Sequence, residues 1–266
     1  MNACSFARIN LNAVKTALRE RGVDWITEID YFESIPSSND YLMAADSPLH
    51  GRLCITDYQT RGKGRQGKQW LSTPGRNLLF SLGWSPQTNP GAQLSLVVGL
   101  AIADALCGLG VENVGLKWPN DVMVAEAKLG GILLESSVRQ GQFEFVIGVG
   151  LNMRQQLDEL AAVESRWTDL TACGYQHLDR ETLLIAILSE LNARLMQFQT
   201  QGFADIRHDW LNYHLHQGVK MRYQHNGRQC VGRVVGLDES GALQLESNGE
   251  RIAVHSGEVN TLRPVV

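Results

Sequence analysis

The longest amphipathic pattern in the chain lies over residues 183–199, where apolar side chains recur every three or four positions. The residues on this apolar face are Leu184, Ile187, Leu188, Leu191 and Leu195. A repeat with this period predicts a helix that buries one face in the core. Further helices are predicted over residues 8–21, 39–45, 92–109 and 203–213. The helix over residues 92–109 is the most apolar, which predicts that it is buried.

Short apolar or alternating runs between these helices predict β-strands. The runs cover residues 31–35, 52–58, 77–84, 114–118, 130–136 and 143–151. Strands interspersed with helices in this way predict an α+β fold, with a sheet that helices cover.

The pattern changes at Gln217-Gly218, after which only short strands are predicted. These strands cover residues 219–223, 229–237, 242–246 and 251–255. They are separated by hairpin turn signals at His225-Asn226-Gly227, Glu239-Ser240-Gly241 and Asn248-Gly249. Residues 217–266 are therefore predicted to form a small β-barrel.

The overall composition excludes several classes of protein. The chain has 266 residues, of which 44% are hydrophobic, so it can bury the core of one large domain with a small appendage. A formal net charge of −4 argues against a surface that coats nucleic acid. Five cysteines without a CxxC pair predict reduced thiols, and no apolar stretch is long enough for a signal peptide or a membrane span. We therefore expect a cytoplasmic protein that binds neither nucleic acid nor a membrane.

One short segment places three glycines among four positive charges. Its basic residues are Arg61, Lys63, Arg65 and Lys68, its glycines are Gly62, Gly64 and Gly67, and Trp70 follows it. Glycines let backbone N–H groups approach an anion, while guanidinium and ammonium groups hold phosphate or carboxylate oxygens. In an acidic chain this glycine-basic loop, residues 61–69, predicts a site for an anionic nucleotide. Taken alone, it could also be a solvated surface loop.

Four further motifs carry polar groups, lysines or paired glycines. They are Ser37-Ser38-Asn39, Lys117-Trp118-Pro119-Asn120-Asp121, Lys128-Leu129-Gly130-Gly131-Ile132-Leu133-Leu134-Glu135 and Gly148-Val149-Gly150-Leu151-Asn152. Together with the glycine-basic loop, and in this order, they resemble the motifs of the biotin–protein ligase family. The resemblance covers roughly residues 27–266.

The resemblance implies an α+β fold and a domain organisation. A catalytic domain similar to class II aminoacyl-tRNA synthetases, with a mixed sheet, would span residues 27–216. A helical extension would precede it over residues 1–26, and a small SH3-like β-barrel would follow over residues 217–266. Repressor members of the family begin with a winged helix-turn-helix domain, for which 26 residues are too few. We therefore expect a monofunctional ligase without DNA binding.

The activity that the resemblance implies is ATP-dependent ligation of biotin to protein. Biotin and ATP, with Mg²⁺, would give biotinyl-5′-AMP, and the biotinyl group would pass to a lysine of a carrier domain such as biotin carboxyl carrier protein. A monomer or weak homodimer is expected. Two alternatives stay open: a lipoate–protein ligase, which the KWPND motif and the glycine-basic loop disfavour, and a biotin-responsive transcriptional repressor.

The resemblance also implies roles for individual residues, and it makes Arg65 and Lys128 catalytic. The residues implied to bind biotin are Ser37, Ser38, Asn39, Gln59, Gly62, Lys63, Arg65, Lys128, Gly130, Gly131 and Leu133. The residues implied to bind the nucleotide are Arg65, Lys68, Trp70, Asn120, Asp121, Lys128, Asn152 and Arg263. Asp121 could hold either Mg²⁺ or the ribose, and no set of metal ligands is assigned.

Two of these positions depart from the family pattern. Lys63 stands where the family usually has arginine, so the charge is kept but the planar bidentate fork is lost. Ser38 replaces a threonine and keeps the hydroxyl. Taken alone, Ser37 or Ser38 could be an ordinary helix cap, Trp70 a core residue and Lys128 a surface lysine.

Overall fold

Two β-sheets organise the chain in the computed structural model, which describes residues 8–154, 166–225, 228–255 and 263–265. The first sheet has seven strands in the order β1-β2-β3-β7-β6-β5-β4. Its strands are β1 Glu28–Phe32, β2 Arg52–Thr56, β3 Asn77–Trp84, β4 Val114–Lys117, β5 Asp121–Val124, β6 Ala127–Arg139 and β7 Gln142–Asn152. Strands β1 and β2 are parallel and all other neighbours are antiparallel, so the predicted mixed sheet is confirmed.

Helices cover both faces of this sheet. They are α1 Leu11–Glu20, α2 Ser38–Met43, α3 Gln93–Gly108, α4 Arg180–Gln201 and α5 Ala204–Asn212. Helix α3 lies in the main core between the sheet and α4, and Leu94, Val98 and Ile102 have no exposed surface. Apolar contact on every side explains why this helix is apolar all round.

The two faces of the sheet differ in character. Along β2, Leu53 and Ile55 belong to the main core, whereas Cys54 between them packs with Leu42 of α2 on the opposite face. This alternation follows from the two-residue period of a strand. The α2 face has only a small apolar cluster, which leaves room there for polar side chains and for the glycine-basic loop.

The structure corrects the prediction at the KWPND motif. No strand was predicted between residues 118 and 130, but β4 ends at Lys117 and the chain returns immediately as β5. Strand β5 pairs with both β4 and β6. Its four residues are too few to give a periodic signal, which is why the sequence pattern missed it. The first strand was predicted over residues 31–35 but covers Glu28–Phe32. Ile35 lies beyond its end and forms only an isolated bridge with Gln59.

The second sheet has five antiparallel strands in the order β11-β10-β9-β8-β12. The strands are β8 Lys220–His225, β9 Arg228–Leu237, β10 Leu243–Ser247, β11 Glu250–Val254 and β12 Arg263–Pro264. The predicted C-terminal β domain of short strands is therefore confirmed. Within the described parts of the chain, no helix is both long enough and apolar enough to cross a bilayer.

A buried charged group holds the base of the segment that leads into the glycine-basic loop. Arg180, the first residue of α4, is 4% exposed and donates a hydrogen bond from its guanidinium to the Asp57 carboxylate. Asp57 also accepts a hydrogen bond from the Tyr31 hydroxyl. Burial, together with that bond, raises the pKa of Tyr31 to about 12. Asp57 therefore joins β1, α4 and the chain just after β2.

Replacing Asp57 with Ala should lower the free energy of unfolding by about 3 kcal/mol, because it removes a carboxylate that pairs with a buried guanidinium. Urea denaturation measures this change. The matched control is Asp209→Asn, which removes a 38% exposed carboxylate from Arg194 while that arginine keeps Asp104. We expect the control to cost less than about 1 kcal/mol. Equal effects in the two variants would contradict a special role for Asp57.

Candidate active site

Two glycines of β7 form the floor of a polar cleft on the α2 face of the sheet. A Cβ atom at Gly148 would lie 2.3 Å from Oδ1 of Asn39, and one at Gly150 would lie 2.7 Å from Cε2 of Trp70. Neither distance is possible for a real side chain, so only glycine lets Asn39 and Trp70 rest on the strand. Residues two apart on a strand point to the same face, about 6.6 Å apart. Asn39 and Trp70 are therefore neighbours across the cleft floor.

The Asn39 end of the cleft is a buried hydrogen-bonded network. Ser38 donates its backbone N–H to Oε1 of Gln59 at 2.8 Å, and its hydroxyl oxygen lies 2.6 Å from that of Ser81. Ser81 donates to Oδ1 of Asn39 at 2.6 Å, and Asn39 donates to a Glu135 carboxylate oxygen at 2.8 Å. Such a network fixes hydroxyl and amide groups in defined directions, which suits recognition of a small polar ring.

Ser37 has a different role from its two neighbours in sequence. It is the N-cap of α2, and its hydroxyl oxygen accepts a hydrogen bond from the backbone N–H of Asp40 at 3.2 Å. The helix-cap alternative is therefore correct for Ser37. Ser38 begins the helix and directs its hydroxyl into the network instead.

The glycine-basic loop covers the cleft. Its backbone folds back on itself, with Gly64 N–H bonded to the Lys68 carbonyl at 2.7 Å and Trp70 N–H bonded to the Gly62 carbonyl at 2.9 Å. Together with Leu133 and Glu135 of β6 it lines a cavity of about 600 Å³. This volume lies within the range of about 300–1,000 Å³ that is usual for small-molecule sites.

The two middle cations of the loop have different partners. The Lys63 ammonium is hydrogen-bonded to the Asp40 carboxylate, which raises its pKa, and lies 3.9 Å from Glu135. Arg65 instead reaches across to the sheet and donates to Oδ1 of Asn120 at 3.1 Å. Burial lowers the pKa of Arg65 although the Asp121 carboxylate opposes the shift, so this guanidinium is partly removed from water. The structure thus places Arg65, and not Lys63, at the turn of the KWPND motif.

Lys128 lies at the Trp70 end of the cleft. Its ammonium is 2.6 Å from a carboxylate oxygen of Asp121 and 5.8 Å from the centre of the Trp70 ring. A Cβ atom at Gly131 would lie 3.4 Å from both the Lys128 ammonium and Trp70. The adjacent Gly130 is packed against β7, because a Cβ there would lie 2.2 Å from Cδ2 of Leu151. Two cations, Lys128 and Arg65, therefore face the same turn that carries Asn120 and Asp121.

Three of the predicted nucleotide-binding residues are not part of this cluster. Asn152 is buried and uses its amide within the protein, accepting from Asn77 at 3.1 Å and donating to the Thr168 carbonyl at 3.1 Å. Lys68 is exposed and lines the cavity with the rest of the loop. Arg263 is exposed on β12, where its backbone pairs with Arg222 of β8, and its side chain makes no hydrogen bond or ion pair with another described residue.

Sequence patterns missed several polar residues of the cleft. Ser81 lies in the middle of an apolar strand, Asp40 directly follows the Ser37-Ser38-Asn39 motif, and Glu135 ends the motif that begins at Lys128, where it had no assigned role. Only the packing of α2 against β3 brings Ser81 beside Ser38 and Asn39. The one available signal was Ser81 itself, a polar residue with an apolar residue on each side in the strand predicted over residues 77–84.

The comparisons with known proteins agree with this geometry. The biotin/lipoate A/B protein ligase family model matches residues 31–152, and the model of the biotin protein ligase C-terminal domain matches residues 214–260. The bifunctional ligase/repressor BirA of Escherichia coli is 37% identical over 221 residues, which are 81% of this chain and 68% of that protein. The chain belongs to the biotin protein ligase family.

Other members of the biotin protein ligase family match this chain over most of its length. The biotin–[acetyl-CoA-carboxylase] ligase of Mycobacterium tuberculosis is 32% identical, and the match covers 91% of each chain. The structure of the Aquifex aeolicus biotin protein ligase in complex with biotin and ATP is 27% identical. It superposes with a TM-score of 0.77 over 90% of this chain and 100% of that one. The predicted fold class is therefore confirmed for this biotin protein ligase.

Proposed function

We propose that this chain is an ATP-dependent ligase that activates biotin as biotinyl-5′-AMP and transfers it to a lysine of a biotin carrier domain. One observation carries the proposal: the two glycines Gly148 and Gly150 of β7 make room for two groups side by side, under a loop of four cations. These groups are the hydroxyl and amide network around Asn39 and the cluster of Lys128 with the Trp70 indole. A neutral ring and an anionic nucleotide would each find matching groups there. The ATP-bound relative from Aquifex aeolicus supports the same assignment.

The chemistry of the first step requires positive charge near phosphorus. A carboxylate oxygen of biotin attacks the α-phosphorus of ATP, the bond from that phosphorus to the bridging oxygen breaks, and pyrophosphate leaves. Two anions must approach each other, so the main tasks of the protein are to align them and to stabilise the charge of the transition state. Lys128 and Arg65 are the cations that we assign to this task, because both face the turn of Asn120 and Asp121.

We assign biotin to the Asn39 end of the cleft. Ser38, which is bonded to Gln59, and Asn39, which is bonded to Glu135, would hydrogen-bond the ureido ring of biotin. The valeryl tail would then run past Gly62, Gly131 and Leu133 towards Lys128, with Gly130 allowing β6 and β7 to pack closely beneath it. Ser37 would contribute by fixing the start of α2. Lys63 could contact the carboxylate or phosphate only by exchanging Asp40 for it.

We assign the nucleotide to the Trp70 end of the cleft. The indole would stack on adenine, and its buried N–H, which has no hydrogen-bond partner among the described residues, would donate to a ligand. Asn120 and Asp121 would lie beside the ribose and phosphates. Asn152 would offer adenine the amide hydrogen and oxygen lone pair that its bonds to Asn77 and Thr168 do not use. Lys68 and Arg263 would have to move towards the phosphates as the ligand binds.

We propose Mg²⁺ as a cofactor that enters with ATP. Mg²⁺ typically takes one or two carboxylates, with phosphate oxygens and water completing an octahedron. The described residues contain no group of three or more His, Cys, Asp or Glu side chains that could hold a metal ion. Asp121 fits the single carboxylate of such a site because it lies between Lys128 and Arg65, where phosphates would also bind. Its alternative role, holding the ribose, would leave the metal to phosphates and water.

In the second step the ε-amine of the acceptor lysine attacks the acyl carbon of the adenylate, forming an amide bond and releasing AMP. The acceptor that we propose is a biotin carboxyl carrier protein or a similar domain, consistent with the name of the Mycobacterium tuberculosis relative.

We propose a catalytic domain over residues 27–216 after an extension over residues 1–26, and a C-terminal domain over residues 217–266. We further propose that the enzyme is a cytoplasmic monomer or weak homodimer.

The two glycines of β7 allow the two ends of the cleft to be tested separately. Gly148→Ala should raise the KM for biotin by about tenfold, because the new methyl group displaces Asn39, and should change the KM for ATP much less. Gly150→Ala should do the reverse, because it displaces Trp70. Steady-state assays of biotin-dependent ATP–pyrophosphate exchange measure both constants. Each variant serves as the control of the other, and equal changes in both constants for both variants would contradict the assignment of the ends.

The experiment that tests the proposed function is transfer of labelled biotin to an apo carrier domain in the presence of ATP and Mg²⁺. We expect the carrier to be labelled on one lysine, with no label when ATP is omitted. Labelled lipoate in a parallel reaction tests the lipoate–protein ligase alternative, and preferential transfer of lipoate would overturn the proposal. A gel-shift assay with operator-like DNA tests the repressor alternative, and we expect no shift.

A further inference from the structure

The β9–β10 turn of the second sheet touches the catalytic sheet at the KWPND motif. Trp118 is 4% exposed, and its indole N–H donates to the backbone carbonyl of Gly241 at 3.0 Å. Gln93, at the start of α3, donates from its side-chain amide to the Glu239 carbonyl at 2.6 Å. Two residues of one turn therefore accept hydrogen bonds from two different elements of the catalytic domain.

The turn is built around the carboxylate of Asp238. One oxygen accepts hydrogen bonds from the backbone N–H of Ser240 at 2.8 Å, the Ser240 hydroxyl at 2.7 Å and the backbone N–H of Ala242 at 3.0 Å. The other oxygen accepts from the Gln244 amide at 3.1 Å. Burial alone would raise the pKa of Asp238, but the bonds from Ser240 and Ala242 outweigh it, so the pKa lies below its ordinary value and the group is a carboxylate. Four bonds to one side chain fix the path of the turn.

Gly241 adds a tight fit to this contact. Its φ is +81°, a conformation that favours glycine, and a Cβ atom there would lie only 3.0 Å from Cδ1 of Leu96 in α3. The Gly241 carbonyl is thereby directed at Trp118 with little freedom to shift. A buried indole N–H that lost this acceptor would be left unsatisfied, so the bond holds Trp118 in one place.

Trp118 lies two residues before the cluster that faces the cleft. Asn120 accepts from Arg65 at 3.1 Å, and Asp121 pairs with Lys128 at 2.6 Å. The intervening Pro119 carbonyl accepts from the Ser95 hydroxyl of α3 at 3.0 Å. The chain from Trp118 to Asp121 is therefore held by α3 at Pro119 and by the second sheet at Trp118.

We infer that Asp238 and Trp118 are positioning residues for biotin adenylation: the Asp238 turn holds Trp118, and Trp118 sets the position of Asn120 and Asp121 and so of Arg65 and Lys128. The C-terminal sheet thus acts on the first chemical step through one indole hydrogen bond. This inference rests on the proposed function. It concerns groups that never touch the substrates, so it predicts a change in rate more than in biotin affinity.

The test compares Asp238→Ala, Trp118→Phe and the double variant in biotin-dependent ATP–pyrophosphate exchange by the whole chain. A displacement of about 1 Å at a reacting centre can cost about 100-fold, so a smaller shift should lower kcat by about tenfold in each single variant. The KM for biotin should stay within about twofold, because Ser38 and Asn39 lie at the other end of the cleft. The double variant should be no worse than either single variant, since both remove the same link.

Two further variants separate positioning from a general loss of stability. Asp238→Asn keeps an oxygen that accepts the three bonds from Ser240 and Ala242, and should restore most of the rate. Asn248→Ala strains the neighbouring β10–β11 turn, where φ is 52°, and should lower the stability of the same sheet without lowering kcat. Thermal unfolding of each variant gives the stability.

Three results would overturn the inference: an unchanged kcat in Asp238→Ala, additive losses in the double variant, or an equal loss of kcat in Asn248→Ala. A different result would count against the proposed function itself. If the wild-type chain catalysed no biotin-dependent exchange, the adenylation step would be absent, whatever the variants did.

Discussion

Replacing Lys128 with Ala is expected to lower the rate of biotinyl-5′-AMP formation by about 100-fold, or about 3 kcal/mol of barrier, while the protein stays folded. The reason is the position of the ammonium group, between Asp121 and the Trp70 ring and above Gly131, where biotin and phosphate would meet. Its side chain is 27% exposed, so its removal creates no large cavity. Biotin-dependent pyrophosphate release in single-turnover conditions measures the rate.

The matched control for this variant is Lys15→Ala, which removes a lysine from α1, away from the cleft. We expect the control to have the wild-type rate. Lys128→Arg keeps the charge but replaces a compact ammonium with a planar fork, and should recover only part of the rate. A wild-type rate of pyrophosphate release in Lys128→Ala would remove Lys128 from the mechanism.

Replacing Arg65 with Ala is expected to impair retention of the adenylate more than its formation. In the structure Arg65 joins the glycine-basic loop to the turn of the KWPND motif, through Asn120. A charge-assisted hydrogen bond contributes about 1.5–3 kcal/mol, so release of biotinyl-5′-AMP should be about 10- to 100-fold faster. The released anhydride would then acylate lysines of bystander proteins.

A chase experiment measures this effect. Enzyme loaded with labelled adenylate is mixed with unlabelled biotin and ATP, together with a protein that is not a substrate, and loss of label and stray labelling are followed. Asn120→Ala removes the acceptor of Arg65 and should show a similar but smaller defect. Arg19→Ala, a change of exposed charge on α1, is the control and should resemble wild type. Wild-type retention by Arg65→Ala would show that Arg65 does not hold the loop over the intermediate.

Much of the fold could be predicted because its elements carry long periodic signals. The buried helix α3 and the amphipathic helix α4 lie close to their predicted ranges, and the strands on either side of the glycine-basic loop were found. Strand β5 was missed because four residues do not establish a period. The order of strands in the sheet depends on long-range pairing, such as that of β3 with β7, for which a single sequence gives no signal.

The position of a site residue was easier to predict where that residue lies within a motif. It was harder to predict where the hydrogen-bond or ion-pair partner of the residue decides its position. Lys128 and Asp121, which lie in two different motifs, are hydrogen-bonded to each other. The Lys63 ammonium pairs with Asp40 and so lies away from the turn of the KWPND motif, a pairing that no sequence pattern predicts. Ser81 belongs to no motif and joins the network through Ser38 and Asn39 of α2, which packs on its strand. Charge pairs and helix–sheet packing, which depend on the three-dimensional structure, account for these differences.

The most direct test of the account is to isolate the intermediate. Enzyme is incubated with biotin, Mg²⁺ and ATP labelled in the α-phosphate, separated from free nucleotide and then mixed with an apo carrier domain. We predict stoichiometric bound biotinyl-5′-AMP that disappears at the rate at which the carrier gains biotin, with lipoate giving no such species. Carrier labelling without a bound adenylate, or an equal yield of lipoyl-AMP, would contradict the account.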